Sequence, residues 1–165
     1  MGKCLSCNIG DQDMFGEPTH IEDGYCEDCR KALVLTEEEI IKKLNTLFPS
    51  MEELVKCEDE YSHYDCENDT YIMEIKSRDR HYDTWLIQRD KFVSNYDKSI
   101  ETGRNFIYLT EYKTKIITWN INDLVASGYD FGWEVREMPE TTEFEQTEPI
   151  LKEVGYLYEQ YGKKI

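Results

Sequence analysis

Asp65, Glu74 and Lys76 are two acids and a base whose spacing could gather them on one surface. Glu74 and Lys76 sit two apart in Tyr71-Ile-Met-Glu-Ile-Lys, a stretch that predicts a strand, so their side chains share a face. Asn68 and Asp69 tolerate the positive φ of a tight turn, which predicts a hairpin with strands over Tyr61–Cys66 and Thr70–Lys76. With the turn at Asn68-Asp69, Asp65 falls opposite Ile72 and diagonally beside Glu74, on the same face as Glu74 and Lys76. His63 then falls opposite Glu74. The other face carries Tyr71, Met73 and Ile75 and suits a core, with Ile72 the apolar exception on the charged face. Charged groups converging on a sheet face are costly unless something offsets them. A hard cation such as Mg²⁺ or Mn²⁺ would do so through the carboxylates while keeping several waters. It could activate one of those waters against a phosphodiester, with Lys76 assisting or stabilising the phosphorane.

A second constellation lies at the start of the chain. Cys4 and Cys7 form one C-x2-C pair and Cys26 and Cys29 another, with 18 residues between the pairs. Each pair aims two sulfurs at one point, and four thiolates complete a tetrahedron around Zn²⁺. The intervening residues are polar and turn-rich (Gly10, Asp11, Gly16, Pro18, Gly24), and cannot build a core without the metal. Four protein ligands close the coordination sphere, so this zinc is structural, holding a surface for a substrate or protein partner. Two disulfides or four free thiols are the bland alternative. Cys57 and Cys66 read as free thiols.

Several elements must position these groups. Thr36 can cap a helix running to Leu47, with Glu37, Glu38 and Glu39 in its first turn and Ile40, Ile41 and Leu44 on its apolar stripe. Met51–Val55 reads as a further helical turn. Asp83 to about Ile100 reads as the next helix, from the spacing of Trp85, Leu86, Phe92, Val93 and Tyr96, closed by Gly103. Asn105–Leu109 and Lys115–Trp119 read as strands and Asn122–Ala126 as a short helix. Glu140–Pro149 carries four glutamates and reads as a loop; Ile150–Tyr161 reads as a closing helix. The expected class is α/β (α+β): a mixed central sheet flanked by helices, plus a small zinc-ribbon or knuckle module. The expected division is a zinc module at 1–34, a core at 35–138, and an acidic loop with a C-terminal helix at 139–165.

The acid, the short gap and Glu74-Ile75-Lys76 on the next strand resemble the PD-(D/E)xK nuclease superfamily, over roughly Thr36 to Ala126. That resemblance implies a restriction-endonuclease-like core, with Asp65 and Glu74 as Mg²⁺ or Mn²⁺ ligands and Lys76 as the catalytic lysine. It also implies a role for Gln88, followed by Phe92 four positions on, since some branches carry a glutamine in the helix after the lysine. Many members take a further acid from the first helix, which Glu38 or Glu39 could supply. Such nucleases often act as homodimers. The proline that often precedes the first acid is absent here, where Tyr64 stands, and Asp69 is a rival for that acid. Arg78 and Arg80, at the strand's end, could contact the phosphates of DNA, joined by Arg89 and Lys91.

The net charge of −16 argues against sequence-blind adhesion to nucleic acid, which needs a positive surface. It leaves three functions open. The first is a metal-dependent endo- or exodeoxyribonuclease; the second is a non-catalytic acidic binder, a DNA mimic or an inhibitor of a nucleic-acid enzyme. The third is a zinc-bearing adaptor. The chain has no apolar run long enough to span a membrane and opens on no signal-peptide pattern, so a cytoplasmic protein is expected.

Overall fold

The computed structural model describes residues 21–22, 25–26, 29, 31–59, 61–113, 115–139 and 149–165. Two short strands, β1 (Ile21–Glu22) and β2 (Tyr25–Cys26), pair antiparallel, with Ile21 opposite Cys26. Cys4 and Cys7 lie outside the described residues, and so does the geometry of the four-cysteine site.

Helix α1 (Glu37–Leu47) begins where its sequence dictates. The Thr36 hydroxyl accepts the Glu39 N–H, and the Glu39 carboxylate accepts the Thr36 N–H at 2.8 Å, a reciprocal capping box. Ile40, Ile41 and Leu44 form its buried stripe. The expected helical turn over Met51–Val55 is instead irregular chain leading to β3 (Val55–Lys56). The Asn45 side chain holds this segment, accepting the Leu54 N–H at 2.9 Å and donating to the Leu54 carbonyl at 3.0 Å.

The principal sheet has the order β11-β8-β7-β5-β4-β3, built from β3, β4 (Cys66–Glu67), β5 (Tyr71–Arg78), β7 (Asn105–Tyr112), β8 (Lys115–Asn120) and β11 (Lys163–Lys164). Strands β5 and β7 are parallel and the other pairs antiparallel, so the sheet is mixed. The connection from β5 to β7 runs through β6 (Thr84–Gln88) and α2 (Arg89–Thr102), which supplies the long crossover that parallel strands require. Gly103, at φ 68°, ends α2 in the left-handed region.

Both faces of β5 are covered. Met73 and Ile75 pack with Ile107, Leu109 and Ile116 against α1. Ile72 packs with Phe106, Tyr108, Trp119, Trp85 and Ile87 on the opposite side. Burial on both faces is usual for a central strand with a parallel neighbour, and it accounts for the apolar Ile72 between charged positions.

Two expectations fail in the same place. Thr84–Gln88 is strand β6, and the helix starts only at Arg89. Pro149–Tyr158 is strand β10, followed by a 3₁₀ turn at Glu159–Tyr161, where a closing helix was expected. Strand β10 lies between β6 and β9 (Glu134–Pro139) in a second, antiparallel sheet. Trp85 and Ile87 of β6 are buried in alternation with more open neighbours, as in a half-covered strand, and face Leu157 and Gly155 of β10; Val154, on the other face of β10, is buried too. Gly155 of β10 is small for a reason: a Cβ there would come within 2.9 Å of the Trp133 ring. Helix α3 (Ile121–Ala126) matches its expectation, capped by the Asn120 side chain, which accepts the Asp123 N–H. The architecture is therefore mixed α+β. Among the described residues no helix is long and apolar enough to cross a membrane.

Candidate functional site

The hairpin turns two residues away from the expected register. Cys66 pairs with Met73 and Glu67 with Ile72, so Ile72 faces Glu67 rather than Asp65, and the pairing ends at Cys66, short of Asp65. Neither Asn68 nor Asp69 takes the expected positive φ; Asn68, 8% exposed, fixes the turn through its side chain, whose oxygen accepts the Thr70 and Tyr71 N–H groups and whose amide donates to the Glu52 carbonyl at 2.7 Å.

Glu74 is only 1% exposed, and its charge is met by cations. The Lys76 ammonium stands 3.0 Å from Oε1, and Lys91 of α2 stands 3.5 Å from the same oxygen. Asn95 of α2 donates to Oε2 at a long 3.5 Å while also donating to the His63 carbonyl at 2.8 Å. Burial works against the charge of Lys76, but Glu74 and Asp65 outweigh it, so its pKa lies above the ordinary lysine value. Lys76 also donates to the Ile75 carbonyl at 3.2 Å.

Asp65 sits where β4 parts from β5. Its backbone N–H donates to the Met73 carbonyl, and its Oδ2 accepts the Ile75 N–H at 2.5 Å. Among the described residues no three His, Cys, Asp or Glu side chains stand close enough to enclose a metal ion as they are.

Of the first-helix acids, Glu39 is not at this site, because its carboxylate is spent on the capping box. Glu38 is paired with Lys56. Glu37 also lies near Lys56, at 3.7 Å, and is the one of the three that feels the charge of Asp65. Its pKa is raised, first by burial and then by the negative field of Asp65, with Lys56 and Lys76 pulling the other way. The sequence signal was available: the N3 position of a Thr-x-x-Glu box is committed to the cap.

A partly enclosed pocket of about 390 Å³ opens beside Glu74 and Lys76, lined also by Arg78, Gln88, Tyr108 and Thr110. Gln88 is the N-cap of α2, yet its side chain makes no capping hydrogen bond. Tyr108 and Thr110 lie directly across from Glu74 and Lys76 in the parallel register of β5 and β7. Tyr108 donates its hydroxyl to the Leu86 carbonyl at 2.7 Å. Burial, then Glu74, then Asp65 push its pKa well above the ordinary tyrosine value, so it stays protonated. Sequence reading did not reach Tyr108 or Thr110, since nothing local reveals which strand lies beside β5.

Other candidates stand elsewhere. Arg80 lies beside Asp79, its Nε 3.5 Å from the carboxylate, and does not line the pocket. Arg89 stacks over the Trp133 ring at 4.4 Å. His81 contacts Glu159 at 2.6 Å and stands edge-on to the Trp85 ring. His63 lines a separate, open cleft. Cys66 is fully buried, and its thiol is pushed up to about 12 by burial first and by Asp65 and Glu37 after it.

Comparison with protein-family models, with curated proteins and with solved structures returned no match.

Proposed function

We propose that this chain is a metal-dependent nuclease that hydrolyses phosphodiester bonds in DNA. The observation that carries the reading is the buried Glu74 carboxylate bound to Lys76 at a pocket mouth, with the Asp65 carboxylate accepting the N–H of Ile75 between them. The element order also favours a restriction-endonuclease-like core: helix, hairpin, crossover helix, then a strand parallel to the one bearing Glu74.

Two carboxylates with polar surroundings suit a hard, oxygen-seeking cation. Asp65 and Glu74 would hold Mg²⁺ or Mn²⁺, with Glu37 within electrostatic reach of Asp65. When bound, the ion supplies water activation and charge neutralisation at the scissile phosphate. Lys76 stays charged at neutral pH and offers its protons to the water or to a phosphate oxygen. Arg78 and Gln88, which line the same pocket, would contact the DNA strand beside the scissile phosphate.

The four cysteines Cys4, Cys7, Cys26 and Cys29 belong to the same proposal as a structural zinc module for contact with substrate or a protein partner. Reduced thiols of this kind fit a cytoplasmic protein. A homodimer would present two sites to a duplex.

The test is cleavage of linear duplex, circular, single-stranded and branched DNA, and of RNA, with Mg²⁺, Mn²⁺ or chelator. Cutting that needs metal and disappears in Lys76→Ala supports the reading. Zinc-loaded, folded protein that cuts none of these substrates leaves the acidic-binder reading in its place, which rests on the net charge of −16.

A further inference from the structure

The pocket beside Glu74 holds more hydrogen-bond donors than its own structure uses. Thr110 is 1% exposed and Trp85 3%, both line the pocket, and neither the Thr110 hydroxyl nor the Trp85 indole nitrogen has a hydrogen-bond partner among the described residues. Buried polar groups left unpaired cost free energy, and two in one pocket call for an explanation. Arg78 adds a guanidinium that donates to the Ser77 carbonyl at 2.9 Å and makes no ion pair among the described residues. A guanidinium carries five N–H donors in a fixed fork, so most of them remain available. Among the described residues the only carboxylate lining the pocket is Glu74, which Lys76 and Lys91 already neutralise.

On a chain of net charge −16, this is a local surplus of donors and positive charge. Its complement is a compact anion with several acceptor oxygens, and a phosphate matches the guanidinium fork best. The walls add a second requirement. Tyr82, 41% exposed, stands edge-on to the Trp85 ring at 5.6 Å and presents an aromatic surface at the pocket. Aromatic rings beside a phosphate site are the means by which proteins take unstacked bases. The volume of about 390 Å³ falls within the usual small-molecule range of about 300–1,000 Å³. It has room for one nucleotide and none for a stacked base pair.

We propose that this pocket receives a nucleoside monophosphate unit, with its phosphate on Arg78, Thr110 and the Trp85 indole and its base against Tyr82. The phosphate-bearing unit is either a free mononucleotide or the 5′-phosphorylated end of a DNA strand. The strand end is the source that follows from the nuclease reading, and to that extent the inference rests on it. In that case the site takes hold of strand ends.

Calorimetric titration of the full chain, without added divalent cation, tests this independently of cleavage. The probes are thymidine, thymidine 5′-monophosphate, and tetrathymidylate with and without a 5′-phosphate. Each phosphorylated probe is expected to bind at least about tenfold tighter than its unphosphorylated counterpart, the scale of a few charge-assisted hydrogen bonds. Arg78→Ala and Thr110→Val should each remove most of that preference. Thr110→Val discards only a buried, unpaired hydroxyl, so it should melt at or above wild type, and its loss of binding cannot be ascribed to unfolding. Tighter binding of the phosphorylated tetramer than of the mononucleotide supports the strand end; equal binding supports the free nucleotide. Equal affinity with and without phosphate, or a preference untouched by Thr110→Val, overturns the proposal. A chain that prefers phosphate but cuts nothing loses the nuclease reading and keeps the pocket; one that cuts without the preference does the reverse.

Discussion

The ammonium of Lys76 lies 3.0 Å from Oε1 of Glu74, and Lys91 reaches the same oxygen at 3.5 Å from a different element. One buried carboxylate thus ties the central strand to helix α2. Removing its charge leaves two lysines facing each other without a counter-ion. Glu74→Gln should destabilise the fold by about 2–3 kcal/mol, less than the 3–5 of a fully buried pair because both lysines are partly exposed. Lys91→Ala should cost less than about 1 kcal/mol, since Lys76 remains. Urea unfolding of the two variants checks both values.

The first-helix acids separate stability from chemistry. Glu39→Gln touches the capping box and should cost about 0.5–1 kcal/mol with metal-dependent cutting retained. Glu37→Gln leaves the cap intact and removes the acid that feels Asp65, so it should weaken the Mg²⁺ dependence of cutting with little change in melting. The opposite pattern would return Glu39 to the site.

Asn68 sets the hairpin through two accepted and one donated hydrogen bond. Asn68→Ala strips all three from a residue that is 8% exposed and should cost about 2–3 kcal/mol. The turn also sets β4 against β5 and so brings Asp65 to the Ile75 N–H, so cutting should fall further than the unfolded fraction explains. Activity measured well below the variant's melting temperature checks this.

Cys66 gives the pH dependence a sign. Its folded pKa, about 12, lies above the ordinary 9.0, so it contributes stability below pH 9 that is lost as pH rises toward 12. Lys76, also raised, acts in the same direction above the ordinary lysine value. Stability should therefore fall on the alkaline side, and Cys66→Ala should fall less steeply above pH 9. At pH 8 the folded wild type should leave Cys66 unalkylated by iodoacetamide while half-buried Cys57 reacts, as peptide mass mapping will show.

The sequence by itself determined what depends on neighbours along the chain. The Thr36–Glu39 box starts α1, Gly103 stops α2, and Asn68 turns the hairpin. Strand alternation set Glu74 and Lys76 on one face of β5, whereas Asp65 lies just outside β4, beyond the pairs that alternation governs. Contacts between distant segments decided the rest. Trp85 and Leu86 fit a helical stripe as well as a strand, and only pairing with Leu157 and Tyr156 of β10 makes Thr84–Gln88 extended. The same pairing turned an expected terminal helix into a strand. Tyr108 and Thr110 joined the site because β7 lies parallel to β5, a neighbour that no local pattern names. A short apolar stretch fits either period, and its conformation is settled by the partner that buries it.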